Sequence, residues 1–271
     1  MKISASFLSS SDLKKTVYEL SVTDVDYIHV DFIDGKFISG TKIAYRKIKK
    51  VTKFSSKRLD VHLMTDKLDK YIKKFALLNC EYITFHVEAT KDISKYISLI
   101  HSYGIKCGLA ISPDTSIQEI EPYVNDIDMV LVMSVVPGKG GQAFIPETVD
   151  KLKDLEKLLK TKKSKVLVSV DGGINDTTVS SVGSLVDMLV SGSFITSSDN
   201  YQEKISILRK NSKISKTTLD SKKETKDKKE NQTKVKKGNE IKVKKETETK
   251  KESKNKKTDH KNKKKTITKN K

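Results

Sequence analysis

The sequence predicts an α/β protein: a single (β/α)8 barrel, or TIM barrel, over residues 1–210, followed by a disordered lysine-rich tail over residues 211–271. Three observations carry that expectation: eight short β-branched runs, amphipathic stretches between them, and a near-total loss of apolar residues beyond Ser212. Strands that alternate with helices build a parallel sheet, and eight such units in so short a span suit a small closed barrel. A doubly wound open sheet is the runner-up, because alternation alone does not separate the two.

The strands are expected, in order, at ISASFL (3–8), YIHVDFI (27–33), RLDVHLM (58–64), YITFHVE (82–88), KCGLAIS (106–112), MVLVMSV (129–135), KVLVSVD (165–171) and MLVSGSFI (188–195). Between them, KLDKYIKKFALL (67–78) and VDKLKDLEKLLK (149–160) carry apolar residues at helical spacing. The helical signal is weakest after the fifth strand, near residues 116–123, and after the seventh, near residues 176–183.

A net charge of +19 points to a nucleic-acid or membrane-surface protein only until the charge is located. Residues 211–271 hold 24 lysines against nine acidic residues, leaving 30 basic and 26 acidic residues in the first 210. The basicity therefore belongs to the tail. So few apolar side chains cannot bury enough surface to offset the entropy of ordering the segment. A solvated spacer is the simpler reading of it. A weak electrostatic arm for RNA or anionic surfaces is the less favoured one, since the tail has no aromatic ring except that of His260.

Cys80 and Cys107 have no metal-type spacing and form no disulfide framework, which fits a reduced, cytoplasmic compartment. The opening MKISASFLSSSD turns polar too soon for a signal peptide. No apolar run reaches the roughly 18 residues a membrane span needs, so no membrane partner is expected.

Chemistry is expected at four positions, each late in a strand. His29 and Asp31 are two apart on the second strand, so both project from one face. His62 lies near the end of the third strand, and Asp171 ends the seventh. Strand C-termini form the rim where barrel active sites assemble. Two imidazoles and two carboxylates meeting there suit a divalent cation of the zinc, iron or manganese kind. Taken singly, each has a plainer reading. An inward strand histidine is more often a hydrogen-bonded core residue, and Asp171 before Gly172-Gly173 could shape a turn.

A second signal is a set of small-residue loops. Pro137-Gly138-Lys139-Gly140-Gly141 follows the sixth strand, Asp171-Gly172-Gly173 ends the seventh, and Ser191-Gly192-Ser193 lies late in the eighth. Glycines let backbone N–H groups approach an anion, and three such loops on adjacent strands point to a phosphorylated substrate.

Over residues 2 to about 210 the chain resembles the ribulose-phosphate 3-epimerase family. The matching segments are SFLSSSDL (6–13), HVDFIDGKF (29–37), DVHLM (60–64), FHVEA (85–89), VLVMSVVPGKGGQAFIP (130–146), VSVDGGI (168–174) and VSGSFI (190–195). The resemblance implies an isomerase of the pentose phosphate pathway that inverts C3 to interconvert D-ribulose 5-phosphate and D-xylulose 5-phosphate. It implies His29, Asp31, His62 and Asp171 as ligands of one divalent cation (zinc, ferrous iron, manganese or cobalt). Asp31 and Asp171 would double as the acid/base pair. Substrate contacts are implied for Ser6, His62, Gly138, Gly140, Gly141, Gly172, Gly173, Gly192 and Ser193. Assembly into a homo-oligomer is implied as well.

The chain departs from the family pattern at four places. Segment 37–44 lacks the usual Pro-Asn and Thr-x-Gly, Ile33 replaces a methionine, Lys139 a phenylalanine, and Ser11 an aspartate. None touches the four ligand positions, so the departures bear on substrate preference and rate. A paralogue acting on a hexulose phosphate and an inactive barrel serving as a binding protein are the competing readings. VSGSFI favours the pentulose, and the intact ligand set favours an enzyme.

Overall fold

A computed structural model describes residues 1–213; the expectation for residues 214–271 lies outside the described residues. Eight strands pair in parallel and in chain order: β1 (Lys2–Ser6), β2 (Tyr27–Ile33), β3 (Leu59–Met64), β4 (Cys80–His86), β5 (Lys106–Ile111), β6 (Met129–Met133), β7 (Leu167–Asp171) and β8 (Met188–Ser191). β1 also pairs with β8, from Lys2 opposite Met188 to Ala5 opposite Ser191, which closes the sheet and excludes the open alternative.

The helices are α1 (Leu13–Ser21), α2 (Tyr45–Thr52), α3 (Leu68–Phe75), α4 (Ile93–His101), α5 (Thr148–Lys162), α6 (Val179–Val182), α7 (Ser193–Thr196) and α8 (201–213). Local chemistry sets several of their ends. Asp12 caps α1 by accepting from the Lys14 and Lys15 amides, two of the N–H groups that a helix start leaves unpaired. The strands are Val- and Ile-rich and buried on both faces, as a barrel wall under a helical layer requires.

The structure differs from the sequence expectation at the two weak helical positions. After β5 there are only two 3-10 turns, Ile117–Glu119 and Glu121–Tyr123. Pro122 removes an amide there, so a continuous helix would lose a rung of its hydrogen bonding. After β7 a single turn, α6, suffices. The eighth strand stops at Ser191 because the chain bends at Gly192 and enters α7. α8 runs past residue 210: Asn211 donates to the Asp176 carbonyl at 3.0 Å, and Ser212 is buried. Among the described residues no helix is long and apolar enough to cross a membrane.

One feature of the interior positions the site. Where most barrels fill their lumen with branched apolar side chains, this one buries a polar set: Ser4, Ser6, His29, Asp60, His62, Thr84, His86 and Ser169. These alternate with the apolar residues that face the helices, as the two-residue strand period demands. Apolar residues share this interior: Ala110, Leu131, Met133, Val135 and Val190 form one cluster, and Tyr82, Met129 and Met188 another.

Candidate metal centre and active site

β2 and β3 carry the centre. Their register sets His29 opposite Asp60 and Asp31 opposite His62. The four ring and carboxylate groups therefore form two successive rungs in which histidine and aspartate exchange strands. Asp171, at the end of β7, completes the set from another part of the wall. One ligand atom from each of His29, Asp31, His62 and Asp171 lies within 4.8 Å of all the others. His29 Nε2 stands 3.3 Å from Asp31 Oδ1 and 3.7 Å from Asp171 Oδ2. His62 Nδ1 stands 3.3 Å and 3.8 Å from the same two oxygens.

This arrangement fits a cation. His29 Nε2 is buried without a hydrogen-bond partner although two carboxylate oxygens lie near it. A ring nitrogen facing two carboxylates needs a positive charge between them, which a proton or a bound cation supplies. Donors around an ion at about 2.1 Å lie roughly 3 to 4.2 Å apart, close to the 3.3 to 3.8 Å contacts here. A mixed nitrogen and oxygen set without sulfur suits a borderline divalent metal.

The supporting groups are equally ordered. His29 Nδ1 donates to Asp60 Oδ2 at 2.8 Å, and Ser4 Oγ donates to the same oxygen at 2.8 Å. Ser6 Oγ donates to Asp31 Oδ2 at 2.8 Å, which holds that carboxylate and leaves Oδ1 toward the centre. On the far side of His62, its Nε2 lies 2.8 Å from His86 Nε2, and His86 Nδ1 lies 3.0 Å from Glu88 Oε2. Sequence reasoning named neither Asp60 nor His86 nor Glu88 as site residues. The signal was available: Asp60 is two residues before His62 and so shares its face, and His86 and Glu88 stand in FHVEA.

The electrostatics drive the two carboxyls apart. Burial alone would raise the pKa of Asp31, but His29 and His62 outweigh it and hold the group well below the usual carboxylate range. Asp171 is raised to about 7, first by burial and then by the Asp31 charge. Burial disfavours the His29 imidazolium, yet Asp31 and Asp60 hold its pKa well above the ordinary value. Two carboxyls of opposite tendency in one pocket are the arrangement that general acid and base chemistry uses.

Above the centre opens a cavity of about 360 Å³. Asp31 and Asp171 reach it, whereas His29 and His62 lie beneath, fully covered. Ser6, Gly138, Gly140, Gly141, Gly172, Gly173, Gly192 and Ser193 all line it. His62 lies beneath it and is not among the lining residues. Met64 and Met133 line the cavity as well, and Lys139 borders it. Gly172 has φ +121°, and a Cβ there would stand 2.5 Å from a Val135 methyl, so only glycine lets this loop lie flat against the wall. Gly138, at φ +123°, accepts from the Thr41 amide at 2.8 Å, which joins the loops after β6 and β2 over the cavity rim.

A closed barrel with paired imidazoles and carboxylates at its strand C-termini, under a glycine-lined cavity, defines a barrel enzyme. The model of the ribulose-phosphate 3 epimerase family matches residues 2–196, and the chain belongs to that family. It is a carbohydrate epimerase. The ribulose-phosphate 3-epimerase of Buchnera aphidicola subsp. Baizongia pistaciae is 41% identical over 160 residues, covering 59% of this chain and 70% of that protein. The Bacillus subtilis ribulose-phosphate 3-epimerase is 37% identical over 153 residues, covering 56% and 70%. In fold alone, the chain is similar to the crystal structure of KGPDC from Streptococcus mutans, with TM-score 0.59 at 15% identity, over 78% of this chain and 97% of that one.

Proposed function

We propose that the protein interconverts D-ribulose 5-phosphate and D-xylulose 5-phosphate by two-base proton transfer at C3, with Asp31 and Asp171 as the bases. The observation that carries this reading is the cluster of two histidines and two aspartates in which only the carboxylates open onto the cavity. His29, Asp31, His62 and Asp171 would hold one divalent ion: zinc, ferrous iron, manganese or cobalt. When bound, it supplies Lewis-acid stabilisation of the negative charge that develops on the substrate.

Inversion needs a proton to leave one face of C3 and another to arrive on the opposite face. A single base would return the proton to the face it came from. Asp31 stands on β2 and Asp171 on β7, with β1 and β8 between them around the wall, so the two carboxyls approach the cavity from different sides. The ionised member takes the C3 proton and leaves an enediolate; the protonated member delivers its proton to the other face. The pair ends with its protonation states exchanged, which is the state the reverse reaction starts from. Ser6, by donating to Asp31 Oδ2, orients that carboxylate and directs Oδ1 inward. Gly138, Gly140, Gly141, Gly172, Gly173, Gly192 and Ser193 receive the substrate and its phosphate along the wall.

Turnover of ribulose 5-phosphate in D2O tests the assignment. Xylulose 5-phosphate should carry one solvent deuterium at C3, and hexulose 6-phosphates should turn over more slowly. Product that keeps its original C3 hydrogen would remove the two-base mechanism.

The barrel is the catalytic unit in this reading, with the lysine-rich tail as a spacer outside it. Because α8 continues through residue 213, truncation after that residue should leave turnover unchanged. Family membership supports a homo-oligomer, to be measured by sedimentation. Cys80 and Cys107, buried and unpaired, support a cytoplasmic location.

A further inference from the structure

A line of groups leads away from His62 and is not used by the proton transfer at C3. His62 Nε2 and His86 Nε2 are 2.8 Å apart. The two ring centroids are 4.9 Å apart with planes inclined by 27°, the geometry of rings joined edge to edge through that contact. His86 Nδ1 is 3.0 Å from Glu88 Oε2. Both imidazoles are wholly buried, so water does not supply alternative partners, and the Ser112 hydroxyl stands farther from His86 Nδ1, at 3.5 Å, than Glu88 does.

Glu88 is anchored as an acceptor. Its Oε1 accepts from the Ser112 amide at 2.9 Å and from the Thr115 hydroxyl. That loop is itself fixed from α5: Lys151 Nζ donates to the carbonyls of Ser112 at 3.0 Å and Thr115 at 2.8 Å, and to that of Pro113. A carboxylate has no hydrogen to give. His86 must therefore carry its hydrogen on Nδ1 to meet Glu88, which leaves a lone pair on Nε2. That lone pair can meet His62 Nε2 at hydrogen-bond distance only if His62 carries its hydrogen there. The remaining nitrogen of neutral His62, Nδ1, is then bare, and it is the atom that stands 3.3 Å from Asp31 Oδ1.

We propose that Glu88 and His86 form a positioning relay that locks His62 in its Nε2–H tautomer and so presents Nδ1 as a preformed ligand for a divalent cation. The inference deepens the metal-site reading and rests on it. It also accounts for the asymmetry of the two ligand histidines. His29 receives its orientation directly from Asp60 and offers Nε2, whereas His62 receives it through an intervening imidazole and offers Nδ1. Outer partners that orient a ligand histidine typically change metal affinity by about 10- to 100-fold when removed.

The test uses the full chain labelled with 15N-histidine, with Zn²⁺ as a diamagnetic probe. Long-range 1H–15N spectra report which nitrogen of each ring carries hydrogen, and chelator competition reports zinc affinity. In the unsubstituted protein His86 should be the Nδ1–H tautomer and His62 the Nε2–H tautomer, and zinc should shift His62 Nδ1. In Glu88→Gln, whose amide can either accept or donate, both rings should show mixed tautomers, and zinc affinity should fall by about tenfold or more with the fold retained. Zinc binding through His62 Nδ1 with undiminished affinity in Glu88→Gln would overturn the relay alone. A hydrogen on His62 Nδ1 in the unsubstituted, zinc-free protein would do the same, and needs no variant to fold. Failure of the unsubstituted protein to bind zinc at His29 and His62 would overturn the metal site and the relay together.

Discussion

Asp31 and His62 face each other across the β2–β3 ladder, and two residues earlier on the same strands His29 faces Asp60. The pairs are not equivalent. Asp31 Oδ1 and His62 Nδ1, 3.3 Å from each other, both face the centre, while Asp60 accepts from His29 and from Ser4 and stays behind. Strand pairing alone thus supplies three of the four ligand atoms and one of their outer supports. Each further consequence can be measured.

Asp171→Asn should lower epimerisation by about 10²- to 10⁴-fold, the usual worth of a general acid or base, with the melting temperature little changed. The amide keeps the shape and loses the proton transfer. Circular dichroism with a coupled xylulose 5-phosphate assay measures both. Near-normal turnover would exclude the role given to Asp171.

Prolonged dialysis against a chelator should abolish turnover, and Zn²⁺, Mn²⁺, Co²⁺ or Fe²⁺ should restore it. Stability should change with it: an ion at a hundred times its Kd adds about 2.7 kcal/mol to the folded state. A thermal melt insensitive to both chelator and added metal would contradict a site built by His29, Asp31, His62 and Asp171.

Asp60→Asn should weaken metal binding by about 10- to 100-fold while the Asp31 and Asp171 carboxyls stay in place. The amide can offer the His29 Nδ1–H either an acceptor or a competing donor, so the orientation of His29 loosens. Isothermal titration with zinc reads the effect directly, and unchanged affinity would make Asp60 a packing residue only.

Acid should destabilise the fold partly through Glu88. Burial would raise its pKa, but His86, Thr115 and the Ser112 amide bring it down to about 2, from an ordinary 4.5. A depressed acid stabilises the folded state above its unfolded pKa and loses that contribution as pH falls through the folded value. The window is therefore between pH 4.5 and about 2. Glu88→Gln should flatten the loss of stability over that range by up to about 3 kcal/mol, read from urea melts at successive pH values.

Gly138→Ala should reduce kcat/KM more than stability. A side chain at φ +123° is strained, and its Cβ would meet the Ser39 carbonyl. The cost is about 1–2 kcal/mol, concentrated where the loops after β2 and β6 touch. Steady-state kinetics beside a thermal melt would separate the two effects.

Much of this was legible in the sequence. The period-two spacing of His29 and Asp31, and the strand-end positions of His62 and Asp171, identified residues that the barrel brings within 4.8 Å of one another. What escaped was of two kinds. The connection after β5 reads as a faint helix because Ile117, Ile120 and Val124 fall near helical spacing, while Pro122 interrupts the hydrogen bonding that a helix would need. Asp60, His86 and Glu88 escaped because a buried polar residue on a strand has no local signature of the partner it will meet. Only the pairing of β2 with β3 and of β3 with β4 puts Asp60 against His29 and His86 against His62.

The centre draws on strands at both ends of the chain's fold, from β2 to β7, with 139 intervening residues between Asp31 and Asp171. A nascent chain released only through β6 would own His29, Asp31 and His62 yet hold no complete coordination sphere. Capture of the ion by all four ligands must then follow the arrival of the seventh strand. During refolding, its uptake would serve as a clock for the last stage of assembly rather than as a seed for the first.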